Sequence, residues 1–240
     1  MEKYKRFFAN KIEDFLVIDG EEFRHAVNVL RIRENDKIIL LDNTGYEYLA
    51  EVTKIEKKSM QVKVLSKEKN DLESKNDILL IAGYLKGDKT ELVVQKAVEL
   101  GVKDIVVFSS KFSSAFLNDN KLERLNKVSQ EASKQCGRSI YPKVSYLPFE
   151  EAIKYAKDYK NKLFACEFAN ENQVDFSSLN GNTALVVGSE GGFSEDEFIF
   201  ATKEGFSTVS LGKRILRADT ASIVLVGIVA KMLGDLEWKL

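Results

Sequence analysis

Histidine, proline, cysteine and tryptophan are all scarce in this chain of 240 residues, which holds one His, two Pro, two Cys and one Trp. His25 and the pair Cys136 and Cys166, thirty positions apart, cannot assemble a zinc finger, a histidine-rich catalytic metal centre or a disulfide framework, so no metal site is expected. A Ser-His-Asp or Cys-His hydrolase would have to use His25, which stands far from either cysteine on a polar stretch, and acyl transfer by a nucleophilic triad is set aside. With Pro142 and Pro148 the only prolines and 44% hydrophobic residues, long disordered linkers have little room, and one or two compact domains are expected. Long apolar runs are missing too. The longest, ILLIAGYL at 78–85 and SIVLVGIVAKML at 222–233, fall short of the ~18 residues of a membrane span. The opening MEKYKRFFANKIEDF is basic without an apolar secretion core, which with the unpaired thiols points to a cytoplasmic protein whose cysteines pack in its core.

The overall charge of -1 argues, taken alone, against the basic surface of a nucleic-acid binder. The average hides a segregation along the chain. Residues 103–143 hold eight Lys/Arg against four Asp/Glu, residues 144–210 hold five against eleven, and the cations Lys213, Arg214 and Arg217 follow at once. Most lysines decorate solvated faces, but several of the eight arginines lie in turn-like segments where a guanidinium can clamp phosphate.

Residues 1–72 read as a small β-rich module, with strands at 15–18, 36–42, 46–52 and 59–66, a turn at Asn43-Thr44-Gly45, and one helix over Glu21–Leu30 that buries Phe23, Val27 and Leu30. The polar stretch SKEKNDLESKND at 66–77 marks the domain boundary. From residue 73 to 240 strands and helices alternate, which predicts an α/β domain on a largely parallel sheet, with strands at 78–85, 104–110, 143–147, 162–168, 183–188 and 208–212. A helix runs from Asp88 to Gly101, and a second carries the apolar stripe Leu122, Leu125, Val128, Ala132 and Cys136. Ser194 and Glu197 have the spacing of a capping box, and Asp219 or Thr220 is expected to cap the last helix, 221–233.

Three segments carry chemistry. Gly188-Ser189-Glu190-Gly191-Gly192 follows a buried strand, so it is either a tight strand-to-helix turn or a loop that lets a ligand approach the backbone. It lacks the Gly-Lys-Ser/Thr of a phosphate-binding loop and the G-x-G-x-x-G of dinucleotide sites, and Glu190 suits a ligand bearing hydroxyls, an amine or a sulfonium. SLGKRILRADTAS, 210–222, follows the next strand, so both loops fall at one sheet edge and can wall one pocket, with Lys213, Arg214, Arg217 and Asp219 around it. The third, at 126–144, ends a helix at Gly137 and presents Arg138 in a turn.

Together with Arg6-Phe7-Phe8, the His25–Arg31 run, Gln95–Val102, Gln135-Cys136-Gly137-Arg138 and Leu211–Arg217, these segments resemble the RsmE family of SPOUT-superfamily methyltransferases, the ribosomal RNA small subunit methyltransferase E group, over essentially the whole chain. The resemblance implies an N-terminal PUA-like RNA-binding β-barrel, 1–72, and a knotted SPOUT α/β methyltransferase domain, 73–240. It further implies a homodimer with its active site at the subunit interface, S-adenosylmethionine as cofactor, and methylation of N3 of a uridine in 16S ribosomal RNA of the small subunit. Uracil N3 is not nucleophilic until its proton leaves, so Arg217 is expected to stabilise the uracil oxygens and Asp219 to orient that arginine or accept the proton. Gly188, Glu190, Gly191, Leu211, Gly212, Ile215 and Leu216 are expected to line the cofactor pocket and Thr220 and Ala221 to close it, with Arg6, His25, Arg31, Lys111 and Arg138 holding RNA. The chain departs from the family pattern at Ser110-Lys111, where Glu-Arg is usual, at Ser189 for proline, and at Asp219 for glutamate. Other readings are a SPOUT enzyme for another RNA and a catalytically inactive RNA-binding relative; an adenine-nucleotide enzyme has no motif in its favour.

Overall fold

The computed structural model describes residues 4–113, 117–166 and 174–236. The chain divides into two compact units, Met1–Glu73 with Ser133–Tyr141, and Ser74–Ala132 with Pro142–Leu240.

The first unit contains β1 (Lys5–Phe8), β2 (Phe15–Asp19), β3 (Lys37–Leu41), β4 (Tyr46–Ile55) and β5 (Ser59–Lys69). They form one sheet in the order β1-β3-β4-β5-β2, with β1 parallel to β3 and the other pairs antiparallel. Alternation puts Ala50, Val52, Met60 and Val62 into a core with Phe7, Ile38 and Leu40, while register shifts after Leu49 and Val52 bend the long β4–β5 pair. The two edge strands do not pair with each other, so the expected barrel is a curled sheet without full closure.

The expected helix over Glu21–Leu30 is interrupted: α1 (Gly20–Arg24) passes directly into a π-helical turn, His25–Val29. Leu30 N–H donates to His25 O at 3.0 Å, and Ile32 N–H reaches Ala26 O at 3.1 Å. The extra residue in the wide turn lets Phe23, Ala26 and Ile32 all reach the core. Arg31 then takes a left-handed φ of 57°, a conformation uncommon for a residue with a Cβ.

The segment Ser133–Tyr141 is bound into this unit by polar contacts. Glu73 accepts from Arg138 Nε at 3.1 Å and Nη2 at 3.0 Å and from the N–H groups of Ser139 and Ile140 at 3.0 and 2.9 Å. Asn70 donates to Gly137 O at 2.9 Å, and Tyr141 N–H donates to Asn43 at 2.8 Å.

The second unit holds six strands, β6 (Ile78–Gly83), β7 (Asp104–Phe108), β8 (Val144–Tyr146), β9 (Asn161–Ala165), β10 (Thr183–Val187) and β11 (Ser207–Val209). Their order is β11-β9-β10-β6-β7-β8 and every pair is parallel. All residues of the central β6 and β10 are buried, as expected of strands covered on both faces. The helices are α2 (Lys89–Glu99), α3 (Asp119–Cys136, of which the residues up to Ala132 belong to this unit), α4 (Phe149–Tyr155), α5 (Glu195–Lys203) and α6 (Ala218–Met232). From β11 at the sheet edge the chain returns to its middle, where α6 packs on β6, β10 and α2. The observed class is therefore the expected one, a parallel α/β domain joined to a small β-module.

Several local expectations change. The last strand stops at Val209, which frees 210–217 to form a loop. The last helix begins at Ala218 with Arg217 at its N-cap, so Asp219 and Thr220 sit in its first turn and do not cap it. Asp219 there meets the positive end of the helix dipole. Both cysteines are partly exposed, and Cys136 Sγ is 3.7 Å from Ser133 O. Glu167 and Phe168, read as the end of a strand, lie outside the described residues. Among the described residues no helix is long and apolar enough to cross a membrane, and no cluster of metal-ligating side chains occurs.

Arg138 is 4% exposed, and its ion pair with Glu73, at 3.0 Å, is largely withdrawn from water. Glu73→Ala is expected to lower stability by about 3–5 kcal/mol in urea unfolding, because it breaks a buried ion pair and removes the acceptor of the Ser139 and Ile140 N–H groups.

Candidate functional site

Because all six strands run the same way, their C-terminal ends lie along one edge of the sheet, where open α/β sheets bind ligands. Two loops leave that edge on either side of β9: Gly188–Gly192 after β10 and Ser210–Arg217 after β11. They wall a single cavity of about 830 Å³ that also reaches Cys166, at the end of β9, and Lys89 on α2.

The first loop is a tight turn closed by Gly192 N–H donating to Ser189 O at 3.0 Å. Its glycines answer mainly to packing. A Cβ on Gly188 would stand 2.9 Å from the Phe193 ring, and one on Gly191 would stand 2.7 Å from the Phe112 carbonyl oxygen. Gly83, at the end of β6, is as constrained, since a Cβ there would stand 2.4 Å from Ser189 N. Gly212 differs: its φ is 107° and the space around it is open, so backbone conformation selects glycine there.

A turn after β7 braces the first loop from the other side. Buried Ser110 has its Oγ 3.1 Å from both Ser189 Oγ and Ser113 Oγ. Lys111 N–H donates at 2.9 Å to Glu197, whose other oxygen accepts from Ser194 N–H at 2.8 Å to close the expected capping box of α5. Ser110 and Ser189, both at positions where the sequence reading expects a departure from the family pattern, are partners in one hydrogen bond.

Glu190 projects from the middle of the turn and lines the cavity. Burial pushes its carboxyl upward, but hydrogen bonds from Lys89 and from the backbone N–H groups of Glu190 and Lys86, with the Lys89 charge, hold it below the ordinary carboxylate range. Lys89 Nζ lies 3.0 Å and Lys86 N 3.3 Å from the same oxygen, Oε1.

Of the expected pocket residues, Gly188, Glu190, Gly191, Leu211, Gly212, Ile215, Leu216 and Ala221 line the cavity. Thr220 does not. It is exposed on the first turn of α6. Arg217 lines the cavity with Lys213 and Arg214, and all three are exposed with no carboxylate partner among the described residues. Asp219 is not part of the lining, and no hydrogen bond joins it to Arg217 among the described residues; its Oδ1 is buried without a partner.

The residues expected to hold RNA separate into two groups. His25 is partly exposed in the π-turn, and Arg31 and Lys111 are exposed, with Lys111 Nζ 3.5 Å from Asp196. Arg6 and Arg138 have other work. Arg6 is paired to Glu47 at 2.5 and 3.2 Å, and Arg138 is paired to Glu73, so both guanidiniums help hold the first unit together. Lys89 was not singled out from the sequence, because an i,i+101 contact leaves no local signal.

Residues 72–230 match the model of an RNA methyltransferase domain, and residues 18–65 match that of an RNA methyltransferase PUA domain. The chain is 32% identical over 226 residues to the ribosomal RNA small subunit methyltransferase E of Mesomycoplasma hyopneumoniae, covering 92% of this chain and 96% of that protein. It is 31% identical over 220 residues to the Bacillus subtilis protein of the same name, covering 86% of each. Among solved structures it is similar to a ribosomal RNA small subunit methyltransferase E from Neisseria gonorrhoeae bound to S-adenosyl methionine, with a TM-score of 0.84, 29% identity, and coverage of 98% of this chain and 100% of that one.

The contact under Gly83 is with backbone, which has no rotamer by which to escape. Gly83→Ala is expected to destabilise the protein by about 1–3 kcal/mol in thermal or urea unfolding, through overpacking beneath the Ser189 turn.

Proposed function

The chain belongs to the ribosomal RNA small subunit methyltransferase E family, and from that premise we propose that it methylates N3 of a uridine in 16S ribosomal RNA with S-adenosylmethionine as donor. The observation that carries the reading is the single cavity between the loops after β10 and β11, with a carboxylate on one wall and three unpaired cations on the other.

The cavity fits the cofactor chemically. Its volume of about 830 Å³ suits a nucleoside-sized ligand, its lining includes Val187, Leu211, Leu216 and Ala221, and the Glu190 carboxylate on its wall can accept from a hydroxyl or an amine. When bound, S-adenosylmethionine supplies an electrophilic methyl group on a sulfonium. The protein's part is to make the uracil nitrogen nucleophilic. Arg217, at the N-cap of α6, donates to the uracil oxygens as negative charge develops on the ring. Asp219, two residues from Arg217 in the first turn of α6, is the candidate to orient that arginine or accept the N3 proton; general-base help of this kind is worth roughly 10²- to 10⁴-fold.

RNA is held by His25, Arg31 and Lys111, joined by Lys213 and Arg214 at the cavity rim. In this reading residues 1–72 form the PUA-like RNA-binding part and 73–240 the SPOUT methyltransferase part. The chain acts in the cytoplasm as a homodimer. An apolar α6 that leaves Val224 and Met232 at 37% and 41% exposure supports a second copy as its cover.

The substrate is tested by reverse transcription of ribosomal RNA from cells with and without the gene. N3 methylation removes a Watson–Crick donor, so a stop at one 16S uridine is expected to vanish on deletion and return on complementation. A persistent stop, or loss of a mark in another RNA, would overturn the substrate assignment.

The division of labour within the site is tested separately. Arg217→Ala is expected to lower methyl transfer by at least about 100-fold while changing S-adenosylmethionine affinity less than threefold, as a group acting on the uracil requires. Full activity in the variant would remove Arg217 from the reaction.

A further inference from the structure

We propose that Lys89 is a positioning residue of the methyl-transfer site, which acts through Glu190 by holding that carboxylate in the orientation that meets the cofactor. The inference rests on the reading of the 830 Å³ cavity as the S-adenosylmethionine site. Lys89 is the first residue of α2 and follows a turn in which Gly87 has a φ of 64°. That turn leaves β6, which lies between β10 and β7, so it stands next to the Gly188–Gly192 turn at the same sheet edge.

An exposed ion pair alone would mean little. This one has three further properties. Lys89 and Glu190 stand 101 positions apart, so the contact ties two separate loops of the site. The Lys86 N–H shares the same oxygen, Oε1, at 3.3 Å against 3.0 Å for Lys89 Nζ, so one carboxylate oxygen is fixed from two directions. Both residues line the cavity, and the Lys89 and Lys86 bonds both fall on Oε1 and neither on Oε2. Anchoring one oxygen removes the rotamer freedom of a three-bond side chain, leaving the other oriented for a ligand donor before the ligand arrives.

The charge balance points the same way. A lone Glu190 would attract a sulfonium or an amine from any direction. Beside the Lys89 ammonium its net field largely cancels, and what remains is the directional acceptance of a hydrogen bond. Lys89 therefore sharpens where the cofactor binds and contributes little to the reaction of the uracil.

The experiment is a double-mutant cycle with the full-length protein, reading S-adenosylmethionine affinity by calorimetry and both KM values and kcat by methyl transfer to ribosomal RNA. Lys89→Met is expected to weaken S-adenosylmethionine binding about 5- to 30-fold and to raise its KM in parallel, with kcat changed less than threefold. Lys89→Arg, which keeps a donor, is expected to recover most of the loss. In a Glu190→Gln background Lys89→Met is expected to add less than a twofold effect. Unchanged affinity in Lys89→Met, an equal loss in the Glu190→Gln background, or a loss confined to the KM for RNA would each overturn the proposal, the last by making Lys89 a phosphate contact. If Lys89→Met does not fold, the Lys89→Arg and Lys89→Gln pair carries the same comparison, with loss in the glutamine variant alone expected and equal affinities overturning it. Wild-type protein that takes up no S-adenosylmethionine would instead remove the reading of the cavity itself.

Discussion

The turn between β10 and α5 is held by contact on three sides, and the remaining features of the site follow from that confinement. Backbone atoms of Ser189 lie so close to Gly83 that only a missing side chain allows the approach, and Gly191 abuts the Phe112 carbonyl in the same way. Phe193 fills the space over Gly188 and joins Phe108, Phe149 and Phe164 in the aromatic core beneath. A loop seated on a rigid aromatic floor can present Glu190 without reorganising, the condition for binding that loses little to ordering.

Hydrogen bonds complete what packing begins. Glu197 uses one oxygen to cap its own helix and the other to hold Lys111 N–H, so the start of α5 and the turn after β7 share one carboxylate. Ser110 and Ser189 extend that brace. A proline at 189 would offer no hydroxyl, and a glutamate at 110 would need a different partner in a site this buried; the two serines satisfy each other. Two residues 79 positions apart in the chain meet in one hydrogen bond.

Legibility in the sequence followed burial and distance. The strands of the parallel sheet could be read because β6 and β10 are covered on both faces and appear as unbroken apolar runs. The Ser194–Glu197 cap could be read because its partners are three residues apart. The four-residue β1, the seven-residue α4 and the π-turn at His25 carry too few periodic positions to announce themselves. The two loops of the site were legible as a pair, since parallel strands bring them to one edge. The occupations of Arg6 and Arg138 were not, because their carboxylates, Glu47 and Glu73, lie 41 and 65 positions away. An arginine in a turn looks the same whether its partner is phosphate or a distant glutamate.

The inclusion of Ser133–Tyr141 in the first unit bears on how the protein is made. When residue 73 leaves the ribosome the β-module still lacks its final piece, and Glu73 has no guanidinium to enclose. That piece emerges about 68 residues later, a wait of roughly 3–14 s at ordinary synthesis rates, during which much of the second unit's sheet is still unborn. A nascent chain of this enzyme thus matures its front end late, and any chaperone meeting it would find an open seam where the finished protein has a closed one.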